Sequence, residues 1–175
     1  MDNTDFTAVT NNFLHSLFSQ CSIGLNGETI TRATEVYNYR SYFETLLTYG
    51  SDAATTQLTN AFFYLDDGDL LPCDLTAADA KNKDFITRWN RLKQSKEVQL
   101  CGRIHSDICN VTLYLIPGVR MQIKLTKAKQ SFYLMNKDAE IKTVFNAQLL
   151  VNRVRPSPSL HLAYNIELGK GSLAL

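Results

Sequence analysis

The chain has 175 residues, 45% hydrophobic and 20% charged, enough for one compact soluble domain with a sizeable core. It has no run of about 18 apolar residues, and its polar, slightly acidic start "MDNTDFTAVTNN" is unlike a signal or transit peptide. The expectation is therefore no membrane partner, no secretion through a signal peptide, and an intracellular (cytoplasmic or nuclear) location.

The formal net charge of +1 conceals two opposed stretches. Residues 1–80 hold two Lys/Arg against eleven Asp/Glu (net −9), and residues 81–155 hold fifteen against five (net +10). Such halves suit self-association of acidic on basic surface, or one basic face for a polyanion. Neutralisation within a single fold explains them equally well.

In chain order, "NNFLHSLFS" places Phe13, Leu14, Leu17 and Phe18 at helical spacing. "CSIGLNGETIT" then alternates Cys21, Ile23 and Leu25 before Asn26-Gly27, a strong hairpin signal. The stretch "YNYRSYFETLLTYG" reads as an amphipathic helix. Tyr39, Tyr42, Phe43, Leu46 and Leu47 fall on one side, with Arg40, Ser41, Glu44 and Thr48 opposite and Gly50 as its stop. Its tyrosines read as core or interface aromatics rather than a stacking platform, because base-stacking aromatics sit among basic residues and this half is acidic. Tyr37, Tyr39, Arg40, Tyr42 and Tyr49 are the candidate interface set.

"SDAATTQLTNAFFYLDDGD" predicts a second helix capped by Ser51 or Asp52 and ended by Asp67-Gly68, followed by an acidic connector over 66–80. "NKDFITRWNRLKQSK" predicts a third helix, with Phe85, Ile86, Trp89 and Leu92 inward and Arg88, Arg91 and Lys93 outward. From residue 97 the period changes to two. "EVQLCGRIH", "VRMQIKLTK", "QSFYLMN" and "EIKTVFNAQLLVNRV" predict strands, Pro117-Gly118 a turn, and "LHLAYNIELGKGSLAL" a weakly helical tail.

The sequence does not point to an active site, and the chain is not expected to be an enzyme. It carries no G-x-x-x-x-G-K-[ST], G-x-G-x-x-G or G-x-S-x-G pattern. His105, Asp107 and Cys109 alternate in "IHSDIC" but are too few on one strand to wrap a tetrahedral zinc ion. Cys101 or Cys109 could pair with His15, His105 or His161 as nucleophile and base, a combination that any chain with these residues offers. No metal or other cofactor is expected. Cysteines 21, 73, 101 and 109 form no C-x-x-C pair and read as free, mostly buried thiols. Arg120, Lys124, Lys127 and Lys129 are the candidate contacts for phosphates or an acidic neighbour, against the plainer reading of a solvated strand face.

Several segments in order ("NNFLHSLFSQCSIGLNGETIT", "YNYRSYFETLLTYG", "GRIHSDICN", "LYLIPGVRMQIKLTKAKQSFYLM" and "AQLLVNRVRPSPSLHLAY") resemble the capsid proteins of Polinton (Maverick) elements and adintoviruses. The resemblance is to the first half of the double jelly-roll major capsid protein, truncated at both ends. It implies a mainly β fold with helical insertions (α+β by content), as an incomplete or single jelly-roll β-sandwich. The domain would span 1–175, with a helix-rich acidic half (1–80), a strand-rich basic half (81–155) and a tail (156–175). It further implies a viral structural protein that self-assembles and is located in the virion, with a homo-oligomer (a trimer) and other capsid subunits as partners, and no catalytic residue. The alternative is a domesticated capsid fold binding protein or nucleic acid through the basic 81–155 surface.

Overall fold

Residues 8–31, 34–66, 83–135 and 144–169 are described by the computed structural model of the chain. They fall into two units, 1–139 and 140–175. The first unit runs β1 (Ala8–Val9), α1 (Phe13–Ser16), β2 (Phe18–Leu25), β3 (Glu28–Thr29), α2 (Tyr37–Thr48) and α3 (Ser51–Thr55). It continues with a 3-10 turn (Gln57–Ala61), α4 (Lys83–Leu92), 3-10 turns at Lys93–Ser95 and Asp107–Cys109, β4 (Met121–Lys127), α5 (Gln130–Tyr133) and β5 (Leu134–Met135). The second unit contributes α6 (Pro158–Gly169), preceded by an irregular stretch over 144–157.

The predicted hairpin forms where Asn26 and Gly27 both take positive φ, 52° and 94°. Glycine has no Cβ to clash there, and asparagine tolerates the region better than most residues. β3 pairs with β2 through Gly24↔Thr29 and Leu25↔Glu28. β4 pairs with the other edge of β2, from Phe18↔Lys127 to Leu25↔Met121, with a bulge between Phe18 and Gln20. Asn26 stitches the end of this pairing: its amide donates to the Arg120 carbonyl and its Oδ1 accepts from the Arg120 amide, both at 2.9 Å. A second antiparallel pair joins β1 to β5.

An aromatic core fills the space between these pieces. Val9, Phe13, Leu17, Phe18, Tyr37, Phe62, Tyr64, Ala128 and Tyr133 are buried together. Helix α4 caps it with Phe85 buried and Leu92 packed at the margin. Arg88, predicted outward, is 1% exposed. Its two terminal nitrogens grip the Asp66 carboxylate at 2.6 and 3.0 Å, and its guanidinium lies over the Tyr64 and Phe85 rings. A buried guanidinium needs such a partner, because desolvating an unpaired charge is prohibitive.

The jelly-roll expectation is overturned. The described residues are 42% helical and 16% strand, with five short strands in open sheets of two and three. The fold is a small mixed α/β arrangement with no β-sandwich and no closed sheet among the described residues. Alternation alone misled at 97–105 and 144–154, because a strand needs a ladder partner as well as a two-residue period. Among the described residues neither stretch pairs into a sheet; the Cys101 amide bonds instead to the Asn60 carbonyl at 3.0 Å. "QSFYLMN" opens as α5 before entering β5. The second predicted helix stops at Thr55, gives way to a 3-10 turn, and has Gly50 rather than Ser51 or Asp52 at its N-cap. The Asp67-Gly68 stop, nearly all of the acidic connector, and Cys73 lie outside the described residues. No helix among the described residues is long and apolar enough to cross a membrane.

Candidate interaction site on helix α2

Helix α2 forms where its periodicity predicts, but it sits the other way round. Tyr37, Asn38, Ser41 and Thr45 are buried, while Tyr39, Phe43, Leu46 and Leu47 are exposed, Leu47 by 83%. The cause lies in α1. That single turn has an apolar side, Phe13 and Leu17, which enters the aromatic core, and a polar side, Asn12 and His15, which is also buried and faces α2. Asn12 sits in the left-handed region (φ 54°) and donates from Nδ2 to Ser41 Oγ at 3.1 Å; Ser41 Oγ in turn donates to the Asn38 carbonyl at 2.7 Å.

A second link runs through Tyr37. Its hydroxyl accepts the His105 backbone N–H at 3.5 Å and lies 3.1 Å from His15 Nδ1. A Tyr37 hydroxyl that donates to Nδ1 goes with the Nε2–H tautomer of His15, and burial holds that ring neutral. Burial first, and the neighbouring His105 second, lower the His15 pKa from 6.5 to about 3. Burial also raises the Tyr37 hydroxyl pKa well above its ordinary value. The His15 and His105 rings meet edge to face, with centroids 4.6 Å apart.

The third link is ionic. His105 Nδ1 lies 2.8 Å from Glu44 Oε2; Arg40 donates from Nε to Glu44 Oε1 at 2.5 Å and from Nη2 to Asp107 Oδ1 at 2.6 Å. Burial opposes ionisation of Glu44, but the hydrogen bonds from Arg40 and His105 outweigh it and hold the carboxyl below its ordinary range. Rotating α2 to bury its apolar side would strand these partners, at about 1–3 kcal/mol for each buried group left unsatisfied. That competes with about 1.5–3 kcal/mol for covering one Leu or Phe, and the polar network prevails.

Behind the helix a cavity of about 180 Å³ is lined by Asn12, His15, Thr45, Tyr49, Cys101 and His105, among others. Gly102 lets the chain pass against His15: a Cβ there would stand 2.6 Å from Leu14 Cδ2 and 3.0 Å from His15 Nε2. The outer face is a stripe at helical spacing, Val36, Tyr39, Phe43, Leu46 and Leu47, each at least 44% exposed. Tyr39 rests edge-on against Phe132 and the Tyr42 ring meets Phe63 at a tilt, so the stripe has a firm base.

The candidate residues divide accordingly. Tyr37 lies inside the polar network, Arg40 is held by two carboxylates, Tyr39 and Tyr42 belong to the outer side, and Tyr49 lines the cavity. Arg120, Lys124, Lys127 and Lys129 are all exposed on or beside β4, with the Lys127 ammonium over the Tyr133 ring. His105 and Asp107 engage Glu44 and Arg40, Cys109 ends a 3-10 turn, and no group of three or more potential metal ligands occurs among the described residues. Cys21, Cys101 and Cys109 are free, yet none is fully buried as the sequence suggested. Burial raises the pKa of the Cys21 and Cys109 thiols, which disfavours the nucleophilic thiolate. Sequence reasoning missed Asn12 and Thr45 altogether, and missed the buried roles of His15, offered only as a base, and of Ser41, placed only opposite the apolar side. The only signal was a stripe of small polar residues on α2, indistinguishable from a solvated face.

No protein-family model, curated protein or solved structure matches the chain. The Polinton and adintovirus resemblance is therefore corrected: neither the comparisons nor the strand inventory supports a capsid protein or another viral structural role. The self-assembling jelly-roll unit and its alternative, a domesticated capsid fold binding through 81–155, fall with it, because the sandwich on which both depend is missing from the described residues.

Proposed function

We propose that this chain is a non-catalytic protein-binding module whose docking surface is the outer face of α2. The observation that carries this reading is the inverted helix. Phe43, Leu46 and Leu47 are held in solvent by a buried polar network on the opposite side of the same helix. A contiguous apolar stripe on a rigid support is what partner surfaces look like, and single scattered apolar residues are not.

The chemistry of the partner follows from the rim. Over residues 34–66 the only cation is Arg40, already paired twice, whereas Glu35 and Asp52 are exposed just beyond the two ends of α2. The surface therefore suits an apolar peptide segment carrying arginine or lysine. The free thiols at Cys21, Cys101 and Cys109 are in keeping with an intracellular setting.

The test is retention of immobilised twelve-residue apolar peptides bearing two arginines, compared with the same peptides bearing two glutamates. The expected result is preferential retention of the arginine set by the wild-type chain, lost in Phe43→Ser. Equal retention by Phe43→Ser, or no retention of either set, would overturn the reading.

A further inference from the structure

We infer that the cavity behind α2 is a binding site for a small aromatic hydroxy acid. Three of its lining side chains, Asn12, His15 and Thr45, are polar and more than nine-tenths buried, at 1%, 5% and 3% exposure. Each has a polar atom to spare. Asn12 spends Nδ2 on Ser41 Oγ, which leaves Oδ1 without a donor among the described residues. His15 spends Nδ1 on the Tyr37 hydroxyl, and its Nε2 has no hydrogen-bond partner among the described residues. The Thr45 hydroxyl has none among them either. Buried polar groups are ordinarily paired, so three spare atoms around one cavity call for an occupant that can hydrogen-bond.

Size, walls and charge name the ligand. One water takes about 30 Å³ and a cavity of about 150 Å³ admits benzene, so the 180 Å³ here is of single-ring size. Leu58, Ala61 and Phe63 supply apolar wall for the ring. A ring hydroxyl both donates and accepts, so it can serve the Asn12 carbonyl oxygen together with His15 Nε2 or the Thr45 hydroxyl. Arg103 lines the same cavity, is exposed to solvent, and has no carboxylate partner among the described residues. A planar guanidinium in that position suits a carboxylate on the outer end of the ring. The site lies on the inner side of α2 and does not depend on the docking face.

The experiment is calorimetric titration of 4-hydroxybenzoate into the full chain, beside benzoate and phenol. Wild type is expected to bind 4-hydroxybenzoate about fivefold or more tighter than either simpler probe, since each lacks one of the two polar contacts. Thr45→Val removes the inner hydroxyl at nearly the same size, and should narrow the gap between 4-hydroxybenzoate and benzoate while benzoate itself binds as before. Arg103→Met should weaken both acids about tenfold and leave phenol unchanged. Arg120→Met, also an exposed cation, should change nothing. Circular dichroism checks that the three variants fold. A wild type that binds no 4-hydroxybenzoate would mean that the cavity holds water only, and would overturn the inference. A loss in Arg120→Met as large as that in Arg103→Met would reveal adsorption to surface charge and overturn it too. Should Thr45→Val fail to fold, the wild-type series still decides, because equal affinity for all three probes sinks the hydroxy acid.

Discussion

Helices α2 and α4 both carry apolar residues at helical spacing, yet their environments treat them in opposite ways. α4 turns Phe85 into the aromatic core and brings one charged residue with it, Arg88, held by Asp66. α2 turns its small polar residues inward and leaves Phe43, Leu46 and Leu47 in solvent. The difference is what each helix meets. α4 meets aromatic rings and one carboxylate, whereas α2 meets Asn12, His15 and the backbone of His105, groups that cannot be left buried and unpaired. An amphipathic helix thus orients by the polarity of its nearest buried neighbours, not by its own apolar side alone.

The largest expected effect breaks the α4 side of this contrast. Arg88→Met strands the Asp66 carboxylate, whose side chain is only 19% exposed, and should cost about 3–5 kcal/mol in urea denaturation. Adding Asp66→Leu should recover much of that loss; a double variant no better than the single one would show that packing, not charge, dominates there.

Next is acid sensitivity on the α2 side. The folded chain refuses a proton on His15 down to about pH 3, whereas the unfolded chain takes one up near 6.5. Stability should therefore fall as pH is lowered from 6.5 towards 3, with a slope of about one proton. His15→Gln should flatten that slope. Glu44 acts at lower pH: its folded pKa lies below its unfolded one, so its contribution is complete at neutral pH and disappears as pH falls through the carboxylate range. An unchanged slope in His15→Gln would mean that His15 is not the group excluded from protonation.

A smaller effect sharpens the account of the buried network. Tyr37→Phe removes the hydroxyl shared by His15 Nδ1 and the His105 amide, and should cost about 1–3 kcal/mol with the ring still packed. The smallest effect belongs to the outer face. Leu47→Ser should change the denaturation midpoint by no more than about 0.5 kcal/mol in energy, because the side chain is already in water. A large loss there would place Leu47 in a core and remove the stripe.

Legibility followed the range of the interactions. The Asn26-Gly27 turn, the extent of α2, the strand at 121–127 and the helical tendency of the tail were all readable, since each rests on backbone preference or on spacing within a few residues. The orientation of α2 was not readable, because it depends on Asn12 and His15, more than twenty residues away in sequence. Arg88 was misread for the same reason: its carboxylate partner lies 22 residues upstream. The five-segment resemblance was misleading, since ordered likeness of segments says nothing about whether their strands find ladder partners.

The sequence by itself determined some local conformations (the Asn26-Gly27 turn, helix α2 and the strand at 121–127), the opposed acidic and basic stretches, and the existence of two apolar segments, 37–50 and 144–155. Only the tertiary structure decided that β4 would pair with β2 about a hundred residues away, and that helix α2 would show its apolar side to solvent. The physical reason is common to both. A hydrogen-bonding group has no preference among distant partners until folding desolvates it, and then its pairing outranks the burial of a few apolar side chains.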